Sequence, residues 1–274
     1  MYIWILVIAV VILYILTQVS STAKYHIKYI GYLLYCIFLT SLCGVFCIFR
    51  PGSSKNIFIA QFILKVIKFE WLFGLDIQIE DWDNLLNAKK PFVVVSNHQT
   101  AIDALVLLKA SPNGTAPLAK KVLLYVPIFG PVCWLCGTIF INRKKGKSAI
   151  DIMKKVGREM KEKMTSVWIF PEGTRYQLDK VMAFKKGAFH LAVQAKVPIV
   201  PVLIGNYRNV IDHKNKQFDG GVIRVKCLPP VHTDNVDNVD TLVEEVQQLL
   251  SNEFEKDLEK RSSIFENIQP IKRD

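Results

Sequence analysis

The sequence predicts an α/β fold, a mixed sheet flanked by helices, preceded by an N-terminal hydrophobic helical hairpin. Three observations carry that expectation. From Pro91 onward, short apolar runs alternate with stretches of helical periodicity, the pattern of strands joined through helices. The first 49 residues contain two long uncharged apolar stretches. Hydrophobic residues make up 51% and the mean hydropathy is +0.24 in a chain that is 22% charged, so the apolar residues are concentrated rather than evenly spread.

The concentration lies at the start. Met1 to Ala23 has no charged side chain, and Tyr29 to Phe49 is a second uncharged stretch between Lys28 and Arg50. Each approaches the ~20 residues that a bilayer-spanning helix needs. Val19-Ser20-Ser21 has the look of a signal-peptide cleavage site, but no basic segment precedes the apolar run, which outlasts the usual ~7 to 15 residues. Residues 1–56 therefore read as a membrane anchor of two spans. Ile57 to Ile79 is apolar but interrupted by Lys65, Lys68 and Glu70. It suits either a helix at the lipid headgroup boundary or one packed on a globular domain. With the polar linker from Asp81 to Lys90 it makes a segment 57–90, and the globular domain is expected over 91–274.

Within that domain Val93 to Ser96, Ala116 to Lys120, Thr138 to Asn142, Val167 to Phe170, Ile199 to Ile204 and Val222 to Cys227 read as strands, being short, apolar and rich in β-branched residues. Asp103 to Ala110 and Gly187 to Ala195 read as helices. Leu123 to Leu135 is an apolar helix broken by Pro127 and Pro131. Ser148 to Lys163 is amphipathic, with Ile152, Met153, Val156 and Met160 on one face. Thr241 with Glu244 forms a capping box for a last helix running through Leu258.

The net charge of +11 is spread along the chain, with no zinc-ligand spacing or RNA-binding aromatic block, so a nucleic-acid partner is not expected. An anionic membrane surface and phosphorylated substrates call for the same charge. Cys133 and Cys136 have redox spacing but lie in an apolar run, where thiols act as packing residues. No histidine stands at a metal-ligand spacing from another, so no metal or cofactor is expected.

The candidate site is the stretch Pro91 to Asp103. His98 follows a strand and precedes a helix, a corner that exposes side chains at the carboxyl end of a sheet. Asp103, five residues on, can return toward the imidazole across the first helical turn. A carboxylate on one ring nitrogen fixes the tautomer and leaves the other nitrogen free to take a proton. The alternative use of Thr100 and Asp103 is as a plain capping box.

This stretch resembles the first motif of the glycerolipid acyltransferases, Asn97-His98, four residues, then Asp103. Three further blocks follow in that family's order: Gly137 to Arg143, Phe170-Pro-Glu-Gly-Thr-Arg175, and Val197 to Val202. The resemblance implies acyl transfer from acyl-CoA to a lysophosphatidic acid at an endoplasmic-reticulum bilayer, with acyl-CoA a co-substrate rather than a cofactor. It makes His98 the base and Asp103 its partner. It assigns Glu172, Gly173 and Arg175 to the acceptor site; Asn97 and Thr174, within the same motifs, are expected to bind substrate too, and Arg143, at the end of a motif strand, is the natural second cation. It also implies a phosphate-binding lysine, for which Lys120 and Lys121 both qualify. The Pro198 and Pro201 block reads as structural.

Overall fold

A computed structural model describes residues 2, 4, 5, 17–67, 72–141 and 149–268. Most of the first predicted span, the Lys68 to Trp71 stretch and Arg143 lie outside the described residues. The first described long element is α1 (Ser21–Cys47), capped by Ser20, whose side chain accepts from the Ala23 amide. Ser20 is thus a helix cap. A short 3₁₀ turn (Ser54–Asn56) leads to α2 (Ile57–Ile67), then β1 (Leu75–Glu80) and the single-turn α3 (Asp83–Leu86).

The expected alternation follows: β2 (Val93–Ser96), α4 (Asp103–Ala110), β3 (Thr115–Lys120), a 3₁₀ turn (Lys121–Tyr125), α5 (Phe129–Leu135), β4 (Ile139–Ile141), α6 (Ala149–Glu162), β5 (Ser166–Ile169), α7 (Gly187–Ala195) and β6 (Ile199–Ile204). A small hairpin, β7 (Ile211–Asp212) and β8 (Gln217–Phe218), precedes β9 (Gly221–Cys227) and the long α8 (Val239–Ile268). The helix predicted over Leu123 to Leu135 is split at Pro127 into a 3₁₀ turn and α5, while Pro131 falls within the first turn of α5. The last helix begins before Thr241, and the amide of Asp240 is held by the Asn238 side chain.

The seven-stranded sheet has the order β1-β9-β6-β2-β5-β3-β4. Strands β6, β2, β5, β3 and β4 are mutually parallel; β9 runs antiparallel to β6 and carries β1 parallel at the edge. The sheet is therefore mixed, as expected. β1 corrects the single helix read over Ile57 to Ile79. Leu75, Ile77 and Ile79 alternate with Asp76, Gln78 and Glu80, a strand period that the apolar residues before them obscured. The sheet thus draws on residues before Pro91.

Alternation along the strands sorts side chains onto two faces. Val94, Trp168, Val200 and Val202 face a core shared with α1, α2 and α4, whereas Val93, Val95, Val167 and Ile199 face α6, α7 and α8. In α1, Tyr25, Tyr32, Tyr35, Leu39, Cys43 and Cys47 form a buried stripe from end to end. Such side chains contribute about 1.5 to 3 kcal/mol each when fully buried. The opposite face exposes Ile30, Leu33, Leu34, Ile37 and Phe38. Helix α1 has 27 residues and is apolar enough to cross a membrane, roughly 40 Å at the α-helical rise. One stripe of it nonetheless rests on the globular domain rather than on lipid. In α2, Ile57, Ala60 and Ile63 are buried while Phe58 and Phe62 are exposed, so one face of that helix packs on the domain and the other faces outward.

Candidate active site

Strand β2 lies between β5 and β6, and all three run in the same direction. Their carboxyl ends therefore bring three segments together: Asn97 to Asp103 after β2, Phe170 to Arg175 after β5, and Gly205 to Tyr207 after β6. His98 sits in the middle.

The imidazole Nδ1 of His98 is 2.7 Å from Asp103 Oδ2. Asp103 is fully buried. Its Oδ2 also accepts the amides of Gln99, at 2.5 Å, and Thr100, at 3.0 Å, and its Oδ1 accepts the hydroxyl of Tyr207. The Asp103 carboxylate thus has two uses at once, holding His98 and holding the turn before α4 through the Gln99 and Thr100 amides; the helix itself starts after Ile102 without a side-chain cap. An ionised carboxylate can only accept, so in this pairing Nδ1 is the donor and Nε2 the acceptor. The ring stacks on Phe170 at 4.1 Å between centroids, which limits its rotation. Arg175 Nε lies 3.4 Å from His98 Nε2, and the guanidinium is exposed.

The Phe170 to Arg175 segment grips His98 from both sides of its backbone. Glu172 Oε1 accepts the His98 amide at 3.0 Å, and the Tyr176 amide donates to the His98 carbonyl at 2.9 Å. Burial pushes the Glu172 carboxyl up to about 7; the bond from the His98 amide lowers it and the nearby Asp103 charge raises it. Gly173 has a φ of +74°, and the place a Cβ would take is filled by the Lys185 ammonium. Thr174 is exposed beside Arg175.

Asn97 occupies a different place from the one expected of a substrate ligand. Its side chain donates to the Ile204 carbonyl and accepts the Ile204 amide, each at 2.8 Å, and it is only 2% exposed. It ties the corner after β2 to the end of β6. Lys120 ends β3 and Lys121 follows it, both exposed at the same edge of the sheet. Arg143, two residues past β4, lies outside the described residues.

Sequence reasoning did not single out Phe170, Gln99, Thr100 or Tyr207 as site residues, nor Tyr32, whose hydroxyl donates to the Ala101 carbonyl at 3.0 Å. Of these only Phe170 carried a signal, as the first residue of a motif. Cys133 and Cys136 pack against α1, with Cys136 Sγ 3.6 Å from Cys47 Sγ, and burial pushes the Cys133 thiol up to about 12. Among the described residues no group of His, Cys, Asp and Glu is arranged to hold a metal ion.

An imidazole held at one nitrogen by a buried carboxylate, with its other nitrogen beside an exposed guanidinium, can remove a proton from a hydroxyl whose anionic substituent draws that guanidinium away. Comparisons with known proteins identify the family. Residues 76–205 match the family model described as Acyltransferase. The chain is 37% identical over 237 residues to human 1-acyl-sn-glycerol-3-phosphate acyltransferase alpha, covering 86% of this chain and 83% of that protein. It is 32% identical to the 1-acyl-sn-glycerol-3-phosphate acyltransferase of Salmonella typhimurium, covering 76% of this chain and 82% of that one. The fold is similar, at a TM-score of 0.65 and 24% identity, to the crystal structure of the 1-acyl-sn-glycerophosphate (LPA) acyltransferase PlsC from Thermotoga maritima, with 87% of this chain and 96% of that one covered.

Proposed function

The chain belongs to the acyltransferase family, and from that premise we propose that it moves an acyl group from acyl-CoA to the sn-2 hydroxyl of 1-acylglycerol-3-phosphate, forming phosphatidic acid. The observation that carries this reading is His98, its Nδ1 bound to buried Asp103 and its Nε2 facing the Arg175 guanidinium, which donates to it. The relatives' printed names supply the acceptor.

His98 Nε2 takes the proton of the acceptor hydroxyl as its oxygen attacks the thioester carbonyl. The carbon–sulfur bond then breaks and the coenzyme A thiolate receives the proton from His98. Because the thioester is already activated, the reaction calls for no covalent enzyme intermediate, metal or cofactor. Asp103 stabilises the imidazolium that forms in between. Arg175 holds the acceptor phosphate, drawing its guanidinium off Nε2 so that the hydroxyl can take that place, with Lys120, Lys121 and Arg143 adding positive charge at the same edge. Glu172 and Gly173 act by shaping the loop that carries Arg175.

We place the protein at the endoplasmic-reticulum membrane with the catalytic domain in the cytosol, where coenzyme A thioesters are made. The outer faces of α1 and α2 support attachment to a phospholipid bilayer, since Leu34, Phe38, Phe58 and Phe62 are exposed there. The test is release of free thiol from acyl-CoA by the membrane-reconstituted protein, with a panel of acceptors. Lysophosphatidic acid should be required. Equal release without it, or preference for glycerol-3-phosphate or another lysophospholipid, would reject the assignment.

A further inference from the structure

We propose that Tyr207 is a positioning residue for the His98–Asp103 pair, holding the second carboxylate oxygen of Asp103 and thereby setting the pH range over which His98 is free to take a proton. The proposal rests on His98 acting as the base.

Tyr207 lies three residues past the end of β6 and is fully buried in the core that α1 covers. Its backbone is fixed, because its carbonyl accepts the amides of both Val210, at 2.9 Å, and Ile211, at 3.1 Å. The hydroxyl donates to Asp103 Oδ1. Thr100 Oγ1 stands 2.9 Å from the same hydroxyl. A phenol has one proton, and an ionised carboxylate can only accept. The proton of Tyr207 is therefore committed to Asp103, and Thr100 must donate to Tyr207, while Thr100 Oγ1 itself accepts the Ile102 amide at 3.0 Å. The result is a directed chain, Thr100 to Tyr207 to Asp103, that ends on the carboxylate also holding His98. Burial and the Asp103 charge raise the Tyr207 phenol well above its ordinary value, so it stays a donor across the working range.

The arrangement has two consequences for His98. With Oδ1 held, the carboxylate plane cannot turn, and Oδ2 stays on Nδ1. The Tyr207 proton also draws negative charge toward Oδ1, weakening the hold of Oδ2 on an imidazolium. Without that donor the imidazolium is held more tightly and keeps its proton to higher pH. The charged and titratable groups facing this centre are Asp103 on α4, Glu172 and Arg175 on the segment after β5, and Tyr32 on α1. Burial raises the Glu172 carboxyl to about 7, so the test must separate its titration.

The experiment is the pH profile of kcat/KM for Tyr207→Phe, alone and with Glu172→Gln, with His98→Ala as reference. Phenylalanine keeps the ring and its packing. Tyr207→Phe is expected to stay folded with a lowered thermal midpoint, because Asp103 Oδ1 loses its donor, and to move the acidic limb upward by about 0.5 to 1 pH, in both Glu172 backgrounds. Should that variant fail to fold, Thr100→Val decides: it removes the donor to Tyr207 and should move the limb the same way by less, while Thr100→Ser stays at wild type. An unmoved limb in folded Tyr207→Phe, with His98→Ala inactive, overturns the proposal. Activity in His98→Ala would instead reject the base assignment beneath it.

Discussion

Glu172 receives the backbone amide of His98 at 3.0 Å, so the loop after β5 and the corner after β2 are fastened by a carboxyl rather than by strand pairing. Burial raises that carboxyl to about 7, which makes the fastening sensitive to pH. A carboxyl whose folded pKa is raised contributes stability that is fully present below its unfolded value, near 4.5, and lost as pH rises through about 7. The size of that loss is on the order of 3 kcal/mol. Glu172→Gln keeps an acceptor for the His98 amide and cannot ionise. Its thermal midpoint should therefore fall less than that of the wild type between pH 5 and pH 8. Parallel curves for the two proteins would show that Glu172 does not titrate in this window.

His98→Ala should lower the chemical step by ~10² or more, the usual worth of a positioned base, while the protein stays folded and membrane-bound. Asp103→Asn should also be impaired, because an amide cannot stabilise the imidazolium and would confront Tyr207 or the Gln99 and Thr100 amides with a donor. Single-turnover measurements on both variants check this. Near-normal turnover in His98→Ala would end the mechanism.

Arg175→Ala should raise the KM for the phosphorylated acceptor by the loss of a charge-assisted contact worth ~1.5 to 3 kcal/mol. Arg175→Lys should recover part of that, since a lysine supplies charge without the planar fork. An unchanged acceptor response in both variants would move phosphate binding to another group at this edge, and Lys120→Ala and Lys121→Ala would then be compared in the same assay.

The outer face of α1 should carry membrane attachment. Leu34→Gln with Phe38→Gln changes only exposed positions, so the fold should be kept while the bound fraction on phospholipid vesicles falls. Cosedimentation measures it. Wild-type binding by the double variant would assign attachment to a different surface. Asn113, exposed in the turn before β3, should be unglycosylated in cells if the domain faces the cytosol; a glycan there would reverse the orientation.

By itself the sequence determined the alternation of strands and helices, the His98–Asp103 pair and the order of the motifs around it. These are local: strands of four to six apolar residues, helical periodicity and a five-residue return to His98 are all written within one short window. The tertiary structure decided what flanks that pair. Tyr207 and Glu172 reach His98 and Asp103 because β6 and β5 are the two neighbours of β2, and strand order is set by long-range packing that no window of sequence records. The same reason ties the Asn97 side chain to the end of β6, since its partner Ile204 is 107 residues away. It also gives α1 one protein-facing stripe. A helix apolar all round shows by composition that it avoids water, but only packing shows which of its faces meets protein.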